Sequence, residues 1–308
     1  MSKLHVYGAL VMVQVLFGVH YFAAKLILET MTPRAWATIR VLGAATILML
    51  YNVVVVRRHP ASLADVGRLA LFALFGVVCN QVLFVEGLSR TTPSHSSIIN
   101  SLIPVVTLGI AMLLGMERPT RRHVLSIFVA FAAVLVLLRV ESFRLEDQLV
   151  VGDLLTLANA TSFSLFLVIS RRYLQRTHPM MATAYLFVLG AIGIATLGVG
   201  PLQEVSFAAL PSRFWWLAAY AILCATALTY FLNFYALRRV ESSTVALFIY
   251  LQAPIATLLS MLFLGERPGP RFWIAAAGIF LGVYLAVRDG RTTRSKRVRA
   301  TPEHDREA

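Results

Sequence analysis

Charge is scarce in this chain. Asp, Glu, Lys and Arg make up 14% of its 308 residues while 58% are hydrophobic, against about 25% charged and 45–50% apolar in ordinary soluble domains. A soluble globular fold is excluded. Cysteine is nearly absent too: Cys79 and Cys224 both fall inside apolar runs, so a disulfide framework is not indicated and both read as small buried residues. Lysine occurs only at Lys3, Lys25 and Lys296, which leaves no place for a GxxxxGK[ST] phosphate loop. HExxH, GxSxG and paired carboxylates inside apolar runs are missing as well, so no enzyme chemistry and no cofactor or metal is expected. The formal charge of +13 does not indicate a nucleic-acid partner, because Lys and Arg sit between apolar runs and form no patch interleaved with aromatics.

What the sequence has in abundance is apolar runs of membrane-spanning length, about 20 residues each. Ten can be drawn, at 4–28, 34–56, 67–89, 93–115, 122–139, 151–174, 180–200, 213–237, 243–265 and 271–288, punctuated by turns such as Thr32-Pro33, Thr92-Pro93 and His178-Pro179. The connections are too short for a soluble domain. With the amino terminus inside, 19 Lys and Arg fall on the inner side and 8 on the outer, so both termini are expected in the cytoplasm. The first run could pass for a signal peptide, with Lys3 before it and Phe22-Ala23-Ala24 as a loose cleavage site. It has a counterpart later in the chain, however, which makes it part of the fold.

That counterpart belongs to a repeat. Pro104, Thr107 and Leu108 lead to Leu114-Gly115-Met116-Glu117-Arg118-Pro119; Pro254, Thr257 and Leu258 lead to Leu264-Gly265-Glu266-Arg267-Pro268. Helix one ends Ala24-Lys25 eight residues before Pro33, and helix six ends Ser170-Arg171 eight before Pro179. The expected fold is therefore all-α and integral to the membrane: ten transmembrane helices in two five-helix units, 4–139 and 151–288, followed by a basic, disordered cytoplasmic tail at 289–308. Five is odd, so the second unit enters the membrane from the other side and the repeat is inverted. Such repeats exchange conformations around a site near the bilayer midplane, and prolines at matching places in the two halves point to that site.

These residues resemble the drug/metabolite transporter superfamily, in its ten-helix members made of two EamA-type units. The likeness is carried by Phe17-Gly18, Pro33 followed by Arg40, Gly87-Leu88, Thr91, Ser94, Pro104 and the Gly115 to Pro119 ending. In the second unit it is carried by Ala236-Leu237, Ser242-Ser243, Pro254 and Gly265 to Pro268. Met116 interrupts the first ending, and Leu186 stands where a twin of Arg40 would fall. The resemblance implies a carrier of small organic solutes, with a cavity lined by the first four helices of each unit and the fifth at the periphery.

Helical spacing selects the side chains expected to face that cavity. They are Asn80, Gln81 and Phe84 in helix three; Thr226, Tyr230 and Asn233 in helix eight; Ser97 and Asn100 beside Pro104 in helix four; and Tyr250 beside Pro254 in helix nine. Helix six adds Asn159 and Ser162, and helix one adds Gln14, Tyr21 and the adjacent His20, which is able to titrate; proton coupling is left open. Gln252 falls on another face and is assigned to packing. Arg40, roughly 9 Å into helix two at 1.5 Å per residue, and Glu86 near the end of helix three are expected to pair and shape the outer side, with snorkelling and helix capping as the alternative. Gly278 and Gly282 suit either a weak homodimer or packing within one chain. The function expected is a secondary transporter in the plasma (inner) membrane, exporting neutral, zwitterionic or aromatic metabolites by alternating access. A flippase of amphiphilic or lipid-linked substrates is the alternative.

Overall fold

A computed structural model describes residues 3–116, 120–138, 146–174, 176–229, 232–233 and 248–299, with side chains from 5 to 285 within those ranges. The described chain is all-helical. Helix α1 covers Lys3–Ile27, α2 Pro33–Val56, α3 Leu63–Arg90, α4 Pro93–Leu113 and α5 Arg121–Leu137. They are followed by α6 Gln148–Leu174, α7 Pro179–Gln203, α8 Ser212–Leu228, α9 Ile249–Phe263 and α10 Pro270–Arg299. Six of these, α1 to α4 with α6 and α7, are long and apolar enough to cross a bilayer; α8, α9 and the Pro270–Leu285 part of α10 are shorter apolar helices.

Local chemistry sets the boundaries. Proline opens α2, α4 and α7, where its missing N–H costs nothing. The Thr92 and Ser62 hydroxyls accept from the backbone N–H of His95 and Asp65 to cap α4 and α3. The helical parts of α4 and α9 both stop at a glycine of positive φ, +67° at Gly115 and +66° at Gly265, where a side chain would strain the turn. Helix α10 continues to Arg299, past position 289 where an irregular tail was expected; 300–308 lie outside the described residues.

Four helices are interrupted at places the repeat relates. Pro104 cannot donate to the Asn100 carbonyl, and α4 turns at Ser101–Leu102 before resuming at Ile103. Pro254 follows a 3₁₀ turn at Ile249–Leu251. Helix α3 widens to a π-turn at Leu74–Cys79, and α8 does so at Tyr220–Leu228.

Packing is close where residues are small. Helices α2 and α7 lie together in the largest core cluster. There Trp36 is fully buried, edge-on to Phe214 at 6.2 Å. Gly278 and Gly282 face Ala133 and Ala130, and a Cβ on either glycine would come within 2.8 Å of the alanine methyl. This GxxxG serves the α5–α10 contact inside one chain. Advancing each helix by five maps several of the contacts among the described residues onto one another: α3–α6 onto α8–α1, α1–α9 onto α6–α4, and α3–α7 onto α8–α2, while α2–α7, α4–α9 and α5–α10 map onto themselves.

Candidate functional site

Between the helices lies a cavity of about 270 Å³. Its described lining comes from α1 to α4, from α6 to α9 and from the Asn233 segment beyond α8; α5 and α10 contribute nothing to it. Two features of the chain aim polar groups into it. The π-turns of α3 and α8 stand next to Asn80, Gln81 and Thr226, a common place for such bulges, and the broken stretch of α4 presents Asn100 and Ile103.

Of the residues selected from spacing, Gln14, His20, Tyr21, Asn80, Gln81 and Phe84 line the cavity, as do Asn100, Asn159, Thr226 and Asn233. Tyr21 packs edge-on against Phe84 at 5.5 Å, with Asn100 beside its hydroxyl. The Asn159 amide donates to the Asn80 carbonyl at 2.7 Å, and the Thr226 hydroxyl to the Ala221 carbonyl at 2.8 Å. Three selected residues lie elsewhere. The Ser97 hydroxyl turns back to the Ser94 carbonyl, at 3.0 Å. That of Ser162 donates to the Phe75 carbonyl at 2.9 Å, and Tyr250 packs edge-on to Phe280 at 6.3 Å in the α5–α10 cluster. Tyr230 lies outside the described residues, as do the Glu117-Arg118-Pro119 ending, Ala236-Leu237 and Ser242-Ser243.

The assignment of Gln252 to packing is corrected: it lines the cavity, and its amide donates to the Gln14 side-chain oxygen at 2.6 Å. The cause is the 3₁₀ turn just before it, which advances each residue by about 120° and so rotates the following helix relative to an unbroken one. Phe17, Phe163 and Phe187 also line the cavity; in sequence they are indistinguishable from lipid-facing phenylalanines.

The expected Arg40–Glu86 pair does not form. Arg40, 5% exposed, donates to the Gln81 side-chain oxygen at 2.9 Å and to the Thr226 hydroxyl at 3.4 Å. Glu86 accepts from Arg90 at 2.6 Å and from Arg34 at 3.1 Å. Gln81 and Glu86 are five residues apart on α3, about 7.5 Å of rise, so Arg40 reaches the amide at cavity depth while the carboxylate stays with the helix-end arginines.

One end of the bundle, where α1, α3 and α9 finish and α2, α4, α6 and α10 begin, is cross-linked by polar contacts. Lys25 donates to the carbonyls of Leu88 and Thr91 at 2.7 and 2.6 Å. Asp153, 1% exposed, accepts from the Thr91 hydroxyl at 2.5 Å and pairs with His95 at 2.8 Å, whose ring stacks on Phe272. Glu266 accepts from Thr92 at 2.6 Å and Ser94 at 2.7 Å, and also from Ser260. Apart from those of Lys25 and Ser260, these hydrogen bonds join the first half of the chain to the second.

Long apolar helices around a hollow lined by amides and aromatics, with formal charge largely at the helix ends, define a multi-pass membrane protein of the transporter class. The chain belongs to the EamA-like transporter family, whose model matches residues 6–139 and again 150–288. It is 24% identical to the Bacillus subtilis protein named uncharacterized transporter YyaM, over 93% of this chain and 94% of that one. It is 26% identical to an uncharacterized transporter of Archaeoglobus fulgidus, over 92% and 97%. An Arabidopsis thaliana chloroplastic WAT1-related protein is 24% identical over 87% of this chain and 66% of its own length. A solved crystal structure superposes with a TM-score of 0.63 at 19% identity, covering 95% of this chain and 99% of the other, and so shares the fold.

Proposed function

We propose that this chain is a secondary transporter that exports small organic metabolites, neutral, zwitterionic or aromatic, by alternating access across the plasma (inner) membrane. In this reading 4–139 and 151–288 are inverted five-helix units, all ten helices span the bilayer and both termini are cytoplasmic. Family membership supports transport; the contacts that map onto one another under a five-helix shift support the two-unit reading.

One observation carries the mechanism. The cavity lies beneath an end of the bundle where Asp153 and Glu266 of one unit accept hydrogen bonds from Thr91, Thr92, Ser94 and His95 of the other. Contacts between units are what must break if one unit rocks against the other. At this end of the bundle they are hydrogen bonds between helix-end side chains, and they stand beside the apolar α2–α7 and α5–α10 packing, across which one unit would turn on the other. The cavity wall, mainly amides and aromatics, suits organic solutes better than small inorganic ions.

Reconstitution into liposomes tests the reading. Amino acids, nucleobases and aromatic compounds are presented with and without a pH gradient, and at least one class is expected to move in protein-containing vesicles and not in empty ones. A gradient effect would demonstrate proton coupling. Movement of a fluorescent lipid between leaflets, with no movement of soluble solutes, would favour the flippase alternative.

A further inference from the structure

A second cavity, of about 340 Å³, lies at the other end of the bundle, where α2 and α6 finish and α3 and α7 begin. The α2–α3 turn of the first unit lines it with Arg58 and His59; the end of α6 and the turn after it, in the second unit, line it with Tyr173, Arg176 and His178. Its two guanidinium charges therefore come from different halves of the chain. Asp65 is the one carboxylate among its described lining residues, and it is already engaged by Arg68 and by the Ser62 hydroxyl, each at 3.1 Å. The balance of the pocket is positive.

The turn that carries Arg58 is firmly built. Arg57 is the one non-glycine of positive φ among the described residues, at +54°, a conformation that strains an ordinary side chain. Asn52, fully buried, holds it: its carbonyl accepts from the Arg57 N–H at 2.6 Å, and its amide donates to the Arg58 carbonyl at 3.0 Å. The His59 ring is fixed by the Tyr185 hydroxyl at 2.8 Å. A second observation is independent of this turn. The Tyr173 hydroxyl is buried and meets no hydrogen-bond partner among the described residues. Buried polar groups are nearly always paired, so an idle hydroxyl on a residue that lines a basic pocket points to an acceptor from outside the chain. The flanks of the turn are apolar and open: Val53, Val54 and Val55 are 54–59% exposed before it, and Leu63 is 90% exposed after it.

We propose that this pocket binds a phosphate group between Arg58 and Arg176, and that its source is the head group of an anionic phospholipid. A phosphate presents several acceptor oxygens in a fixed array, enough to meet two guanidinium forks and the Tyr173 hydroxyl together. A halide offers a single point of charge. Basic pockets between membrane helices on the cytoplasmic side suit such head groups, and this end is the cytoplasmic one in the orientation proposed above. The exposed valines and Leu63 give the acyl chains an apolar surface beside the phosphate. One bound lipid then ties the first unit to the second at the end away from Asp153 and Glu266. None of this depends on which solute the central cavity takes.

The test titrates the purified full chain in detergent with dioctanoyl phosphatidylglycerol or dioctanoyl phosphatidylcholine and counts bound lipid by native mass spectrometry. Phosphatidylglycerol is expected to bind about tenfold or more tightly, because the choline cation opposes the two arginines. Arg58→Gln and Arg176→Gln should each weaken it, and together they should bring the two lipids within about twofold. Tyr173→Phe should weaken phosphatidylglycerol and leave phosphatidylcholine unchanged. Arg172→Gln, an exposed arginine of α6 outside the pocket, should change neither; circular dichroism establishes that each variant is folded. Inorganic phosphate is then added as a competitor. Displacement of phosphatidylglycerol from the parent supports the site and shows that the phosphate alone suffices, while persistence of the lipid supports it and shows that the chains hold the lipid as well. Equal binding of the two lipids overturns the proposal, as does a preference that survives the double variant, an equal loss in Arg172→Gln, or no binding of phosphatidylglycerol to folded protein.

Discussion

Replacing Glu266 by Gln should open the cross-linked end of the bundle. Glu266 accepts from Thr92 at 2.6 Å and Ser94 at 2.7 Å, both on the other unit; its contact with Ser260 lies at the end of its own helix and holds whichever way the units lean. A hydrogen bond to a charged group is worth about 1.5–3 kcal/mol and a neutral one about 1, so an amide loses roughly 0.5–2 kcal/mol at each. Glu266 is half-buried, and water reduces this further. The sum is about 1–2 kcal/mol against the closed arrangement, or roughly five- to thirtyfold in the population of the open one. The readout is the labelling rate of Asn80→Cys, in the cavity wall, by a membrane-impermeant maleimide added from the outside, with Cys79 and Cys224 first changed to alanine. Asp153→Asn, which weakens the Thr91 and His95 contacts, should act in the same direction. Arg213→Gln should not, because its 3.6 Å pairing with Glu29 is between side chains 59% and 50% exposed. Labelling within twofold of the parent in both acid variants, with melting temperatures unchanged, would refute the latch.

Gly282→Leu should destabilise the protein by about 1–3 kcal/mol through overpacking, since its Cβ would lie within 3.0 Å of the Ala130 methyl and backbone nitrogen and of the Ser126 carbonyl; Gly8→Leu, with nothing within 4 Å, should leave the melting temperature in detergent unchanged. Gln14→Leu strips the Gln252 amide of its acceptor and should cost about 1–3 kcal/mol by the same melt, whereas the double change to leucine should recover part of that loss. Gly265→Ala should cost about 1 kcal/mol for the positive φ.

Much of this arrangement was legible in the chain, and the reasons differ by feature. Boundaries read well because proline at the first turn and glycine after the last act locally: Pro33, Pro93 and Pro179 open helices, and Gly115 and Gly265 close them. The repeat endings anticipated two turns of nearly equal φ. The Arg40–Glu86 pair failed because formal charge ignores depth. Glu86 had two arginines nearer its own level, and Arg40 met amide and hydroxyl acceptors at its own. Gln252 failed because periodicity assumes one uniform helix, and three residues of 3₁₀ turn rotate everything after them.

The misplacement of Ser162 has a more general cause. A polar side chain within a membrane helix can meet a solute or mend a backbone, and spacing alone does not separate the two uses. Fully bonded helices packed at 8–10 Å leave no hollow between them; here α3, α4, α8 and α9 are each interrupted where they face the centre. The interruptions disturb carbonyls, and the polar stripe of α6 serves them. Ser162 donates to Phe75 in the π-turn, Asn159 to Asn80 just after it, and Ser164 to Ile103 next to Pro104. On α8, Tyr220 donates to Leu16 of α1 at 2.7 Å. Thus the breaks in α3 and α4 are satisfied from α6, whereas in α8 the hydroxyls of Thr226 and Thr229 satisfy carbonyls of their own helix. A polar stripe on one membrane helix is therefore evidence of a broken helix opposite it as much as of a solute.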